Sequence, residues 1–173
     1  MPKGEKQQSG RMPVEISAID LLSKDHRDVE QLFDQFKKMK EGNESSSGGM
    51  SKRAIVKKAC AMLTVHAQIE EEIFYPALRK ALDDDDQLDE AQVEHNSAKQ
   101  LIAELESMRG NEKLHDATFT VLGEYVRHHV REEEQELFKE ARKTELDLDD
   151  LGKRMMKRKM ELMKEHGLES EME

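Results

Sequence analysis

A chain of 173 residues is long enough for one domain with a substantial core and short for two. Charged residues make up 38% of it and aromatic residues 4%, with three Pro, nine Gly and no Trp, a composition that suits long exposed helices and argues against an all-β fold. The formal charge of -10 disfavours nucleic acid, the single Cys60 rules out an intramolecular disulfide framework, and neither a secretory apolar run nor a membrane span is present, so a soluble cytoplasmic protein is expected.

Residues 1–15 carry Gly, Gln, Ser and two Pro with little to bury, the make-up of a disordered leader. From Ile16 the apolar residues Ile19, Leu22, Val29, Leu32, Phe33 and Phe36 recur at threes and fours, the period of a helix with one buried face, and His26 lies on that face. The run GNESSSGG ends this helix near Gly42. A second helix is expected from a Ser51 cap to about Leu82, with Ile55, Ala59, Met62, His66, Ile69, Glu70 and Ile73 on one stripe and a kink or local break at Pro76.

Asp83 to Asp86 suit a loop that leads into a helix N-terminus, and lack the alternating ligands and central glycine of a calcium loop. A third helix, from about Gln87 to Met108, aligns Ala91, His95, Ala98, Ile102 and Leu105. A fourth, from about Glu112 to Lys143, aligns Phe119, Leu122, Val126, His129, Glu133 and Leu137. Residues 144–173 add a shorter helix whose Leu151, Met155, Met156, Met160 and Met163 read as packing outside the bundle. The expected fold is therefore all-α, a four-helix bundle over residues 16–143 with an additional C-terminal helix.

The four helices form two related pairs. KDHRDVEQLFDQFKKM around His26 resembles VEHNSAKQLIAELESM around His95: each has an acid, then His, then apolar residues six and ten positions on. VHAQIEEEIFY around His66 resembles HVREEEQELF around His129: each has Glu four after the His, a second Glu, and apolar or aromatic residues eight and nine after it. Positions i and i+4 share a helical face, so His and Glu at that spacing reach one ion from one rigid element. The spacing alone is weak, because with 25 Glu in the chain about one of the seven His meets a Glu at i+4 by chance. Four do, and only His66 with Glu70 and His129 with Glu133 also lie on apolar stripes in a repeated context.

Buried Glu is costly unless neutralised, and two Glu with four His on apolar faces have no evident Lys or Arg partners. A pair of divalent or trivalent cations would supply the charge. Imidazole and carboxylate without thiolate suit iron, manganese or zinc, and Glu shared between two ions favours two irons. The candidate metal ligands are His26, His66, Glu70, His95, His129 and Glu133.

The segments DHR at His26, HAQIEEEIFYPAL, EH at His95 and HVREEEQELF resemble the hemerythrin family, in particular its bacterial HHE cation-binding branch, over about residues 16 to 143. The resemblance implies an up-down-up-down bundle around a non-haem di-iron centre, with the matching His as terminal ligands and Glu70 and Glu133 as bridges. It also matches the C-terminal extension to one seen in bacterial members. Oxygen carriers of the family have His-x-x-x-His on the third helix, where this chain has His95 followed by Lys99, and an Asp five residues after the last His where this chain has Glu133 at four. Six ligands in place of seven leave open positions for O2, peroxide or nitric oxide, in sensing, detoxification or iron handling.

The competing readings are a peroxide-decomposing di-iron enzyme and a metal-free helical interaction module. Glu30, one turn after His26, is expected to be a salt-bridging or solvated residue. Tyr125, one turn before His129, reads as core packing, with a hydrogen bond to a metal-bound species as the sharper alternative. His115, His128 and His166 fall off the stripes and are expected to be exposed, Cys60 to be a small buried residue, and the basic segment 153–159 to be a solvated face.

Overall fold

The computed structural model describes residues 16–42 and 49–171; the expectations for the leader and for most of the connection after the first helix lie outside them. Helix α1 spans Ala18–Lys40. It starts where the Ser17 side chain accepts the Asp20 amide and ends in a turn rich in lysines, Lys37, Lys38 and Lys40, which suits the negative end of the helix dipole. Helix α2 covers residues 52–81, with Ser51 as its cap, accepting the Ala54 amide. Helix α3 is Asp86–Ser107, and α4 covers residues 115–143. The four pack in a ring, α1 on α2, α2 on α3, α3 on α4 and α4 on α1, which is the expected antiparallel bundle. No described helix is long and apolar enough to cross a membrane.

Two apolar clusters fill the bundle. One holds Phe33, Phe36, Phe119, Ile55, Leu122 and Ile102, with Phe119 stacked at 4.6 Å from both Phe33 and Phe36. Gly123 stands one turn after Phe119 because a Cβ there would lie 2.9 Å from the Phe33 ring. The other cluster holds Leu22, Ile69, Phe74, Leu78, Leu88, Leu137 and Phe138. Between them lies a layer of buried His and Glu.

Both α2 and α4 widen in this layer. Over Glu70–Phe74 the Glu70 carbonyl accepts the Tyr75 amide, and over Glu133–Leu137 the Glu133 carbonyl accepts the Phe138 amide, each a turn with one extra residue. The kink or break expected at Pro76 is thus a widening before it, after which the helix continues as Tyr75–Ala81. Proline is not its cause, because Lys139 occupies the matching place in α4. The fourth helix begins at His115 and not near Glu112, because the Glu112 carboxylate accepts the Arg109 and Gly110 amides at 2.7 and 2.8 Å and holds a turn instead.

Helix α5, Leu148–Glu165, lies across α1 and α2 and buries Leu151, Met155, Leu162 and Met163. Gly152 permits this contact: a Cβ would sit 2.1 Å from the Ile16 carbonyl oxygen. At its far end Gly167 takes φ 70°, and the Leu168 amide donates to the Met163 carbonyl at 2.8 Å, turning Leu168 into the core.

Candidate metal centre

All six candidate ligands turn into the layer between the apolar clusters. The periodicity that carries Leu22, Val29 and Phe36 inward on α1 carries His26 with them, and α2, α3 and α4 present His66 with Glu70, His95, and His129 with Glu133. Glu70 is fully buried. Its Oε1 stands 3.0 Å from His66 Nε2 and its Oε2 3.1 Å from His95 Nε2, so one carboxylate spans the two histidine pairs. Glu133 Oε2 lies 3.2 Å from His26 Nε2 and 3.9 Å from His129 Nε2. The pairs are near copies: His26 and His66 approach through Nε2 at 3.2 Å, His95 and His129 at 3.3 Å, both with ring centroids 4.8 Å apart at 63°.

Every outward-facing ring nitrogen meets a carboxylate. His26 Nδ1 donates to Glu134 at 2.8 Å, His95 Nδ1 to Glu71 at 2.9 Å, His129 Nδ1 to Glu94 at 2.6 Å and His66 Nδ1 to Asp25 at 3.4 Å. These acids come from a simple rule of sequence. The acid before each lone His, Asp25 or Glu94, serves the His of the next helix, and the Glu after each spanning Glu, Glu71 or Glu134, serves a lone His. Three acids are held by a cation in turn: Arg27 on Glu134, Lys99 on Glu71 and Lys159 on Asp25, with His128 Nε2 3.4 Å from Glu94.

Counting protons tests whether a cation belongs here. With each Nδ1–H given to a carboxylate, the four Nε2 atoms face inward as lone pairs. They meet the oxygens of two carboxylates, and Glu70 Oε1 and Glu133 Oε2 are buried without a hydrogen bond. Tyr75 alone brings a hydroxyl, with Oη 3.1 Å from Glu133 Oε1 and 3.3 Å from Glu70 Oε2. Such an excess of acceptors is stable only around positive charge. The donor atoms of His26, His66, Glu70 and Glu133 lie within 4.8 Å of one another, and so do those of Glu70, His95 and His129. Two imidazole nitrogens held about 2.1 Å from one ion, at right angles or slightly wider, stand about 3.0–3.4 Å apart, and both histidine pairs have that separation. The residues present fit two cations.

The same field acts on protons when no ion is bound. Burial pulls the imidazolium of His95 down, yet its hydrogen bonds with Glu70 and Glu71 prevail and raise it to about 9. His66 moves well above its ordinary value, burial being outweighed by Glu70 and Asp25. Glu70 itself, despite burial, is held well below the carboxylate range by His66 and His95, and the His95 hydrogen bond brings Glu71 down to about 2.

Tyr75 breaks the symmetry. It stands nine residues after His66, and its counterpart nine after His129 is Phe138, whose ring stacks on His26 at 6.0 Å. Burial, then Glu133 and Glu70, push the Tyr75 phenol well above its ordinary value, so it keeps its proton. On the side of the layer away from Phe138 a cavity of about 50 Å3 touches all four His rings and is closed by Val29, Leu63, Ile102 and Val126.

The hemerythrin HHE cation binding domain family matches residues 17–141 of this sequence. The chain belongs to that family. No curated protein matches it significantly. Among solved structures, a hemerythrin HHE cation binding domain-containing protein from Mycobacterium kansasii matches with a TM-score of 0.65 and 22% identity, over 85% of this chain and 87% of that one. Membership of an HHE family means cation binding, and the buried His and Glu groups are the place for it.

Within this HHE domain several sequence expectations need correction. Tyr125 is 51% exposed, and the phenol of the centre is Tyr75, which its EEEIFY context signals only through the extra residue in the widened turn. His115 is buried, with Nδ1 3.2 Å from Asp116, whereas His128 and His166 are exposed as expected. The basic segment 153–159 is not merely solvated: Arg158 holds Glu72 at 2.7 and 3.2 Å and Lys159 holds Asp25. Glu30 pairs with Arg27 at 3.6 Å, and Cys60 is buried, its thiol pushed up to about 12 by burial.

Proposed function

We propose that the chain is a non-haem di-iron protein that takes up O2 or a related small oxidant, peroxide or nitric oxide, with His26, His66, Glu70 and Glu133 holding one ion, Glu70, His95, His129 and Glu133 the other, and both Glu shared. The observation that carries this reading is the pair of matched imidazole pairs joined by two carboxylates beside a small, largely apolar cavity. Iron bound there supplies redox chemistry and open coordination positions for the oxidant. The protein's part is to hold the ligands and sort the molecules that reach them. The carboxylates on each Nδ1 fix the ring tautomers and orient every Nε2 inward. Val29, Leu63, Ile102 and Val126 leave room for a diatomic molecule while discouraging charged solutes. Tyr75 Oη keeps a proton 3.1 Å from Glu133 Oε1.

An absorption spectrum of the aerobically purified protein tests the reading. Visible charge-transfer bands that bleach with dithionite and return with air support it, and a colourless, redox-silent protein contradicts it. Tyr75 gives one ground for a second reading, a peroxide-decomposing enzyme, because a buried phenol beside the cation positions is a proton donor a passive binder does not need. Rapid peroxide consumption that falls at least about tenfold in Tyr75→Phe and vanishes in Glu70→Ala would favour the enzyme.

A further inference from the structure

Halves that agree so closely in their ligands differ on their outer faces. Between α3 and α4, Gln87, Glu90, Glu132 and Glu136 surround the approach to the layer, whereas the matching positions on α1 and α2 are Ala18, Leu21, Ile69 and Ile73. That apolar set belongs to the core beneath α5. On the open face Gln87, Glu90 and Glu136 are exposed, and a cavity of about 60 Å3 leads inward with His129 and Glu133 at its floor. None of the described residues lining it is Lys or Arg. Gln87 Nε2 reaches Glu136 Oε2 at 3.4 Å. At the floor Glu133 is 3% exposed, and its Oε2 receives no hydrogen bond. At the rim Glu132 Oε1 stands 3.1 Å from His128 Nε2, which lies 3.4 Å from Glu94 Oε1.

We propose that the acidic cleft between α3 and α4 is the port through which divalent cations enter the centre, an inference that rests on the metal-site reading above. A hydrated cation exchanges water for ligands stepwise and needs carboxylates along its path, which the largely apolar cavity on the histidine side does not provide. The clustered negative charge at the mouth concentrates cations and raises their rate of arrival. Glu132 with His128 and Glu94 offers a first set of oxygen and nitrogen donors, and the next residue along α4 is Glu133 itself. Cations and the small oxidant thus use different doors.

Stopped-flow loading of metal-free protein with Co2+, followed by the cobalt absorption, tests the port. The variant Glu90→Gln/Glu132→Gln/Glu136→Gln changes none of the six ligands. It is expected to load at least about tenfold more slowly at low ionic strength and still to reach two ions per chain. Wild-type loading slows as salt rises, and Glu104→Gln/Glu124→Gln/Glu145→Gln, with the same change of net charge elsewhere on the surface, loads at the wild-type rate. A cleft variant that loads at the wild-type rate, a control variant slowed equally, or wild-type loading indifferent to salt overturns the port. A wild-type protein that takes up less than one equivalent at equilibrium overturns the metal-site reading, and the port with it.

Discussion

Glu70 carries more of the site than any other residue, because its two oxygens face different histidine pairs and nothing else among the described residues lies between them in the same way. Glu70→Ala removes a ligand from both positions, and metal analysis is expected to find at most one ion per chain where the wild type holds two. Titration of the metal-free protein gives a second check. His95 has its imidazolium raised to about 9, so its ionic contacts stabilise the fold fully below the ordinary histidine value near 6.5 and are lost as the pH climbs through about 9. Glu71, lowered to about 2, contributes above its ordinary value of 4.5 and loses that contribution as the pH falls toward about 2. Denaturant midpoints of the metal-free protein are therefore expected to fall on both sides of the interval from about 5 to 7. Cation binding displaces the protons on these imidazoles, so loading near pH 7 releases protons, and calorimetry in buffers of different ionisation enthalpy measures how many. A release that stays constant up to pH 10 would contradict the raised histidines.

At the scale of elements, the C-terminal helix matters most. α5 covers the apolar outer face of α1 and α2 and sends Lys159 to Asp25, the acid that orients His66, and Arg158 to Glu72 in the widened turn of α2. Lys159→Met keeps the stem and removes the charge. It is expected to weaken cation binding by about 10–100-fold in chelator competition, the usual cost of losing an outer partner of a metal-binding histidine. Gly152→Ala tests the docking itself. The added Cβ meets the Ile16 carbonyl, and urea unfolding is expected to show a loss of about 1–3 kcal/mol. An unchanged midpoint would mean that α5 does not rest where its contacts put it. The paired widened turns are also elements of the site, because each begins at the spanning Glu. Their extra residue sets the angle at which that carboxylate crosses between histidine pairs.

For the whole molecule, the fold was legible because apolar residues at threes and fours mark each helix and the turn-forming runs mark their ends. The inward His and Glu were legible because they continue those same stripes. Tyr75 was not, since a regular helix from His66 carries position 75 off the stripe and only the widened turn brings it in. His115 was misread for a related reason: its helix starts later than the glutamate-rich approach suggests, and the ring folds under the first turn. The role of Lys159 depends on how α5 docks, a contact 134 residues apart in sequence from Asp25 that no local pattern encodes. Metal and fold are coupled throughout. Ions at about a thousandfold over their dissociation constant stabilise by about 4 kcal/mol, so chelation is expected to lower the melting temperature by roughly 10 °C. The central claim is a two-ion centre built from two matched half-sites, and elemental analysis of the purified chain tests it most directly. Two irons per chain are predicted, and less than one equivalent of any transition metal would contradict the account.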